Sequence, residues 1–234
     1  MFDVVVVHWG GIGVTLDCVN SIVDNTPFDT YHLTLVVNDG RKDHADLLRA
    51  YSRTARVGDT SCEKRIKSVI LLDDTPLANA WNKGVDATSS SWIAILNNDV
   101  VVQRGWLDEL SKNIRRDIGI IGITGHLLSD DYNHRGVVLK GQDYDYVGGQ
   151  CFLVNREAWD DIGGFDAGFR LFSEDADFSL RLRKGGWKLW VEHSARNFIH
   201  HIGNVHSSKR IEAEQWKRDG LLRMRAKHGE KYVR

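Results

Sequence analysis

Cysteine is scarce in this 234-residue chain: Cys18, Cys62 and Cys151 make an odd three with no C-x-x-C pair. That excludes a disulfide framework and an ordinary thiolate zinc site, and it points to a reducing compartment. Long apolar runs are missing too. None approaches the ~20 residues of a membrane-crossing helix, and FDVVVV at 2–7 is too short and lacks the basic flank of a secretory signal. An excess of either charge is absent, with 31 Lys and Arg against 32 Asp and Glu and a net charge of −1. Nothing global attracts polyanions, so nucleic acid is not expected as a partner. Repeats, low-complexity tracts and linkers are lacking as well. These absences lead us to expect a cytoplasmic globular protein, and a composition of 42% hydrophobic and 27% charged residues agrees with that class.

What is present begins with VVVVHWGGIGVTLD at 4–17, a β-branched run that breaks into glycines and then into an amphipathic stretch. A dinucleotide fingerprint wants G-x-G-x-x-G here, with an acid about 20 residues on. Gly11 and Gly13 fit the first two positions and Asp39 stands at a suitable distance, but Leu16 replaces the third glycine. A nucleotide-dependent oxidoreductase is therefore the weaker reading of this segment.

The pattern that follows alternates strand and helix. Strands are expected at 2–7, 33–38, 66–72 and 92–97. Helices are expected at 13–25 (stopped by Pro27), from Ala45, at 76–88 behind Pro76 and at 105–116, with an aperiodic loop at 59–65. This predicts an α/β fold, a mostly parallel central sheet flanked by helices on both faces. Beyond residue 117 the texture changes. Strands are expected at 118–125 and 146–155, an irregular polar segment at 126–145, a helix at 174–186 and a basic amphipathic helix at 207–229. We expect one domain, with a nucleotide-binding half at 1–117, an acceptor and catalytic half at 118–206 and a C-terminal helix at 207–234.

Three segments carry chemistry. ILNNDVVV at 95–102 sets Asn97, Asn98 and Asp99 at the carboxyl end of a buried strand, the edge where open α/β sheets bind ligands. Asn97 and Asp99, one residue apart, can face the same side of extended chain. They suit a hard divalent cation that already carries phosphate oxygens; the same triplet also suits a polar turn. RLFSEDADF at 170–178 supplies Glu174, Asp175 and Asp177, either first-turn acids complementing a helix dipole or a source of a general base, Asp175. NFIHHIGNVHS at 197–207 brings His200, His201 and His206 close in sequence, a solvated loop or the imidazole that completes a metal site.

The order VVVVHWGG, VVNDG, LANAWNKG, LNNDVVV, YVGGQCFLVNREAWDDIGGFD, FSEDADFSLRLRKGGW and IHHIG resembles the family 2 glycosyltransferases of GT-A, Rossmann-like fold, from residue 2 to about 207. Within that family it is similar to the rhamnosyl- and galactofuranosyltransferase branch. The resemblance implies an inverting enzyme that moves a sugar from a UDP- or dTDP-linked donor to an acceptor hydroxyl, helped by Mn²⁺ or Mg²⁺. It makes Asn97-Asn98-Asp99 the signature holding metal and diphosphate, with Asp99 the firm ligand and Asn97 nearer ribose or sugar. Glu174 and Asp175 become the acid pair, with Asp175 the catalytic base. His200, which forms an H-x-x-G pattern with Gly203, becomes the metal ligand, with His201 the alternative.

It also implies that Asn38 or Asp39 contacts the nucleotide base, that Asn82 and Lys83 line the donor site, and that Gly148 and Gly149 let backbone approach a sugar. HWGGIG then lies near the nucleoside, its glycines allowing close approach, with His8 either donor-facing or a satisfied core-edge histidine. The acceptor is a glycan, a lipid-linked glycan or another hydroxyl compound, and 207–234 either contacts a membrane surface peripherally or packs on the domain. The same residues would also serve an inactive sugar-nucleotide-binding module or a metal-dependent phosphohydrolase.

Overall fold

The computed structural model describes residues 1–54, 56–57, 60–61, 66–203 and 210–233. Its centre is the β-branched run, which forms β1 (Phe2–His8) with Val4, Val5, Val6 and Val7 all buried. Alternate residues serve opposite faces of a strand. Val4 and Val6 enter one core with Cys18, Ile22, Leu48 and Trp106, whereas Val5 and Val7 enter a second with Trp81, Val85, Phe152 and Phe178. Burial on both faces is what a helix-sandwiched parallel strand requires.

The first core is built by α1 (Ile12–Asn25), β2 (Tyr31–Val37) and α2 (Lys42–Thr54). Helix α1 stops at Asn25, one residue before the Thr26–Pro27 step, as the sequence predicts. A short pair, β3 (Arg56–Val57) and β4 (Thr60–Ser61), precedes β5 (Ile66–Leu71). Of the expected 59–65 loop, Thr60 and Ser61 form β4, while residue 59 and residues 62–65, Cys62 among them, lie outside the described residues. Then come α3 (Leu77–Asp86), β6 (Trp92–Asn97), β7 (Val100–Val102) and α4 (Trp106–Ser111). Helix α4 is shorter than the expected 105–116, because the chain turns after Ser111 to enter β8 (Ile118–Gly122).

The second half adds β9 (Gly125–Leu128), β10 (His134–Val137), β11 (Tyr146–Val147), β12 (Cys151–Asn155), α5 (Arg156–Ile162), α6 (Glu174–Lys184), β13 (Lys188–Val191), β14 (Ile199–His201) and α7 (Arg210–His228). The main sheet has seven strands in the order β13-β8-β12-β6-β1-β2-β5. Strands β6, β1, β2 and β5 run parallel, while β12 is antiparallel to both neighbours, β6 and β8.

Two expectations are corrected here. The segment 126–145 is irregular only in part: residues 126–128 of β9 and 134–137 of β10 pair antiparallel, β11 joins them at 146–147 in a three-stranded sheet, and the stretches at 129–133 and 138–145 hold no strand. Its Gly, His and Arg content hides any apolar alternation. The strand expected at 146–155 is two strands in different sheets, β11 and β12, broken at Gly148-Gly149.

Helix α7 packs on the domain. Met224 is buried, Arg223 and Lys227 pair with Asp166, and Lys227 and His228 pair with Asp177. Residues 204–209, which include His206 and the start of the expected basic helix, are outside the described set. No helix among the described residues is long and apolar enough to cross a membrane.

Candidate active site

The carboxyl ends of β1, β2 and β6 open onto a cleft of about 1130 Å³, counted to its open mouth. Strand β6 delivers Asn97, and the turn behind it delivers Asn98 and Asp99. Asn98 is held from below, its Nδ2 donating to Thr15 Oγ1 at 2.9 Å and to the Trp9 carbonyl at 3.2 Å. Asp99 is buried, and its Oδ1 receives no hydrogen bond from the described residues.

The neighbour of that oxygen is His201. Strand β14 runs back along β7, pairing His201 with Val100, and the Ile202 amide donates to the Asp99 carbonyl at 2.9 Å. His201 Nε2 lies 3.1 Å from Asp99 Oδ1, out of line for a hydrogen bond. This contact raises the histidine's pKa above its ordinary value, against burial. The structure therefore corrects the placement of His200 as the residue beside Asp99. Alternation along β14 sends Ile199 and His201 to one side and His200 to the other; both histidines are exposed, and His201 is the one on the side of Asp99.

Across the cleft stand Glu174 and Asp175, the first residues of α6. Two residues ahead of them adopt left-handed backbone, Phe172 at φ 70° and Ser173 at φ 67°. Such conformations cost ~1–3 kcal/mol each outside glycine. Burial of Phe178 and Leu182 further along α6 offsets this, at ~1.5–3 kcal/mol per side chain. The outer wall also holds the turn in place: a Cβ on Gly220 of α7 would lie 3.1 Å from the Phe172 carbonyl oxygen, so that helix fits tightly against it.

Asp175 Oδ1 accepts from its neighbour's amide, Ala176 N, at 2.8 Å, and Oδ2 accepts from Gly149 N at 3.0 Å. Burial raises its pKa and these backbone donors oppose the rise. Glu174 is raised further, first by burial and then by the charge of Asp175, and its Oε2 is buried with no hydrogen-bond partner among the described residues. A carboxyl pair of this kind resists being doubly ionised.

The remaining expected residues divide. Asn38 and Gly149 line the cleft, although Asn38 also clamps Thr75: its Nδ2 donates to the Thr75 carbonyl at 2.8 Å and its Oδ1 accepts from Thr75 Oγ1 at 2.8 Å. Asn82 does not line it. Its amide closes on the backbone of Phe165, accepting from N at 2.9 Å and donating to O at 2.8 Å, while Lys83 pairs with Asp86 at the surface. His8 and Asp39 do not line it either; they meet His44 in a separate cluster beneath the strand edge. Within the protein a Cβ on Gly11 or Gly13 would meet nothing nearer than 3.8 Å, and the left-handed residue of that turn is Gly10, at φ 84°.

Sequence reading missed Trp9, Trp81, Arg170 and Trp216 in the cleft wall. Arg170 is the one lysine or arginine among the residues lining it, held by Asp74 at 2.7 Å and stacked 5.4 Å from the Trp216 ring centre. Its place just ahead of the acid pair is the only signal the sequence offers.

A second cavity lies behind the acid pair. It shares Phe172, Glu174 and Asp175 with the first and is walled by Tyr132, Tyr146 and Lys217. The two carboxyl groups thus sit between two chambers, an arrangement suited to proton transfer between bound partners.

Comparison with known proteins bears on this geometry. Residues 3–177 match the profile of glycosyl transferase family 2. The chain is 25% identical over 169 residues to the O-antigen biosynthesis protein RfbC of Myxococcus xanthus, covering 60% of this chain and 13% of that protein. Over 65 residues it is 38% identical to the N-acetylglucosaminyl-diphospho-decaprenol L-rhamnosyltransferase of Mycobacterium tuberculosis, covering 28% of this chain and 20% of that enzyme. The chain thus spans a fifth or less of these two relatives.

In three dimensions it is similar to GalNAc-T7 with UDP, GalNAc and Mn²⁺, with a TM-score of 0.68 at 18% identity over 82% of this chain and 42% of that one. It is also similar to the mannosyltransferase PcManGT of Pyrobaculum calidifontis in complex with GDP-Man and Mn²⁺, with a TM-score of 0.60 at 13% identity over 81% and 54%. These likenesses identify the fold as GT-A. The family profile takes in both the Asn97–Asp99 turn and the Glu174–Asp175 pair, and on that match the chain belongs to glycosyl transferase family 2.

Proposed function

We propose that the protein transfers a sugar, with inversion, from a UDP- or dTDP-linked donor to an acceptor hydroxyl, using Asp175 as general base. The observation that carries this reading is the single cleft shared by Asp99 and Asp175. Asp175 is presented at an α6 N-terminus with its oxygens fixed by two backbone donors, yet it also faces the second chamber. An acceptor hydroxyl held there would give its proton to Asp175 while attacking the anomeric carbon from the side opposite the departing diphosphate. One base and one displacement invert the centre.

The residues beside Asp99 fit a divalent cation, Mn²⁺ or Mg²⁺. Asp99 Oδ1 is a buried carboxylate oxygen with no hydrogen-bond donor among the described residues, and His201 Nε2 faces it 3.1 Å away. Asp99 and His201 would hold the ion and Asn97 would border it; when bound, it supplies Lewis-acid neutralisation of the leaving diphosphate. Arg170 offers the cleft a second positive charge. Asn38 borders the region assigned to the base. The name of the mycobacterial relative supports a deoxyhexose donor and a polyprenol-diphosphate-linked acceptor, with the chamber between β11 and α7 as the acceptor's place.

A thermal-shift screen tests the donor side. UDP or dTDP should raise the melting temperature only with Mn²⁺ or Mg²⁺ present, and NAD(H) should not. Incubation of the responding sugar nucleotide with candidate acceptors should then yield a glycoside of inverted anomeric configuration by NMR. A shift from NAD(H) alone, or a product of retained configuration, overturns the reading.

A further inference from the structure

The cluster displaced from the cleft has its own geometry. His8 Nε2 lies 2.8 Å from His44 Nδ1 and 3.1 Å from Asp39 Oδ2, and His44 Nδ1 lies 3.2 Å from the same oxygen. Three potential ligand atoms from the end of β1, the loop after β2 and the first turn of α2 therefore converge in one small triangle. We propose that His8, Asp39 and His44 form a three-ligand site for a divalent transition-metal ion of the zinc type, separate from the cation position at Asp99.

Zinc binds His nitrogen and carboxylate oxygen at ~2.0–2.2 Å in tetrahedral array, which sets ligand-to-ligand edges of about 3.3 Å. The triangle needs to open by only a few tenths of an ångström to meet that. His8 is buried and His44 nearly so, whereas Asp39 lies at the partly exposed edge, leaving a fourth direction for water. A metal-ligating histidine usually has its other ring nitrogen tied by a hydrogen bond that sets the tautomer. His8 has this feature, its Nδ1 lying 2.6 Å from Thr15 Oγ1.

Without an ion, the same atoms can share a proton: Thr15 donates to Nδ1 and His8 Nε2–H points at His44 and Asp39. On metal binding His8 takes the opposite tautomer with no net change in its proton count: the Nε2 proton passes to solvent, solvent returns one to Nδ1, Nδ1–H donates to Thr15 Oγ1 and Nε2 is freed for the ion. Thr15 Oγ1 is also the acceptor for Asn98 Nδ2. The ion would thus pin two strand ends to α2 and brace the turn that carries Asp99.

The test reads metal, not transfer, and uses no nucleotide, so its failure would leave the glycosyltransferase reading intact. Chelator-stripped protein is titrated with Co²⁺, followed by visible d–d absorption, and with Zn²⁺ in competition. Wild type and Asp99→Ala should both give the intense absorption of four-coordinate Co²⁺ and bind one Zn²⁺ tightly. His44→Ala should lose the band and weaken Zn²⁺ binding by at least ~100-fold, more than the loss of an outer-shell partner usually costs. Should His44→Ala fail to fold by circular dichroism, Asp39→Asn, at the exposed edge, makes the same measurement. Retention of the band in a folded His44→Ala or Asp39→Asn, or loss of all tight Zn²⁺ binding in Asp99→Ala, overturns the proposal.

Discussion

The amide of Gly149 donates to Asp175 Oδ2 at 3.0 Å, joining the break between β11 and β12 to the first turn of α6. A Cβ on Gly149 would stand 3.3 Å from Asp175 Cβ and 3.3 Å from the far ring edge of Trp81, which is fully buried and cannot give way. The carboxylate must then move. Gly149→Ala is expected to lower kcat by ~10-fold or more, since a displacement of about 1 Å can cost ~10²-fold, with donor Kd nearly unchanged. Steady-state kinetics with calorimetric donor binding decides; an unaltered kcat would show that this contact does not position the base.

Asp175→Asn keeps the shape of the site and removes the proton acceptor. Loss of a general base costs ~10²–10⁴-fold in rate, so kcat should fall by that much while sugar-nucleotide binding persists. The wild-type pH profile should carry the same signature. Burial raises the Asp175 pKa, and the base works ionised, so the rate should fall with decreasing pH at values above the ordinary aspartate figure of ~3.9. The residual rate of the variant should lack that limb, and a wild-type acid limb at or below ~3.9 would count against Asp175 as the base.

Much of this site is legible in the sequence because its parts are tied to strand ends and helix starts. Asn97 to Asp99 follow a buried apolar strand, and Glu174 and Asp175 open a helix, so periodicity places both at element boundaries. What periodicity cannot give is facing. His200 and His201 differ by one residue, and only the pairing of His201 with Val100 shows which one turns inward. Asn82 looks donor-facing on a polar helix position, yet its partner Phe165 lies far along the chain. His8 and Asp39 suggest a nucleoside contact until His44, whose side chain reaches them from α2, is seen beside them. The β9–β10 hairpin is hidden because its buried contacts come from a third strand, β11, rather than from its own alternation.

Glu174 links the site to stability. Burial and the neighbouring Asp175 raise its folded-state pKa, so between the unfolded value, ~4.3, and the raised one the native state holds a proton that the unfolded chain has released. Stability then declines as pH rises through that window. Glu174→Gln mimics the protonated form at every pH, so its melting temperature in metal-free buffer should exceed that of wild type by a margin that widens from pH 5 to 8. A margin that stays constant or narrows would show that Glu174 does not titrate in this way.

The two adjacent histidines separate fold from chemistry most cleanly. Both are exposed, but His201 faces the buried Asp99 oxygen, whereas His200 lies on the opposite side of the same three-residue strand. Both positions keep their backbone pairing with β7 when cut to alanine, so strand loss cannot distinguish the variants. Removing a metal ligand weakens cation binding, and His201→Ala should raise the Mn²⁺ concentration for half-maximal transfer by at least ~10-fold, with partial recovery at saturating Mn²⁺. His200→Ala should match wild type within about twofold, because it removes an exposed ring that touches neither Asp99 nor the cleft. A reversal of that order would place the inward face of β14 on the other histidine and detach His201 from the metal-dependent step.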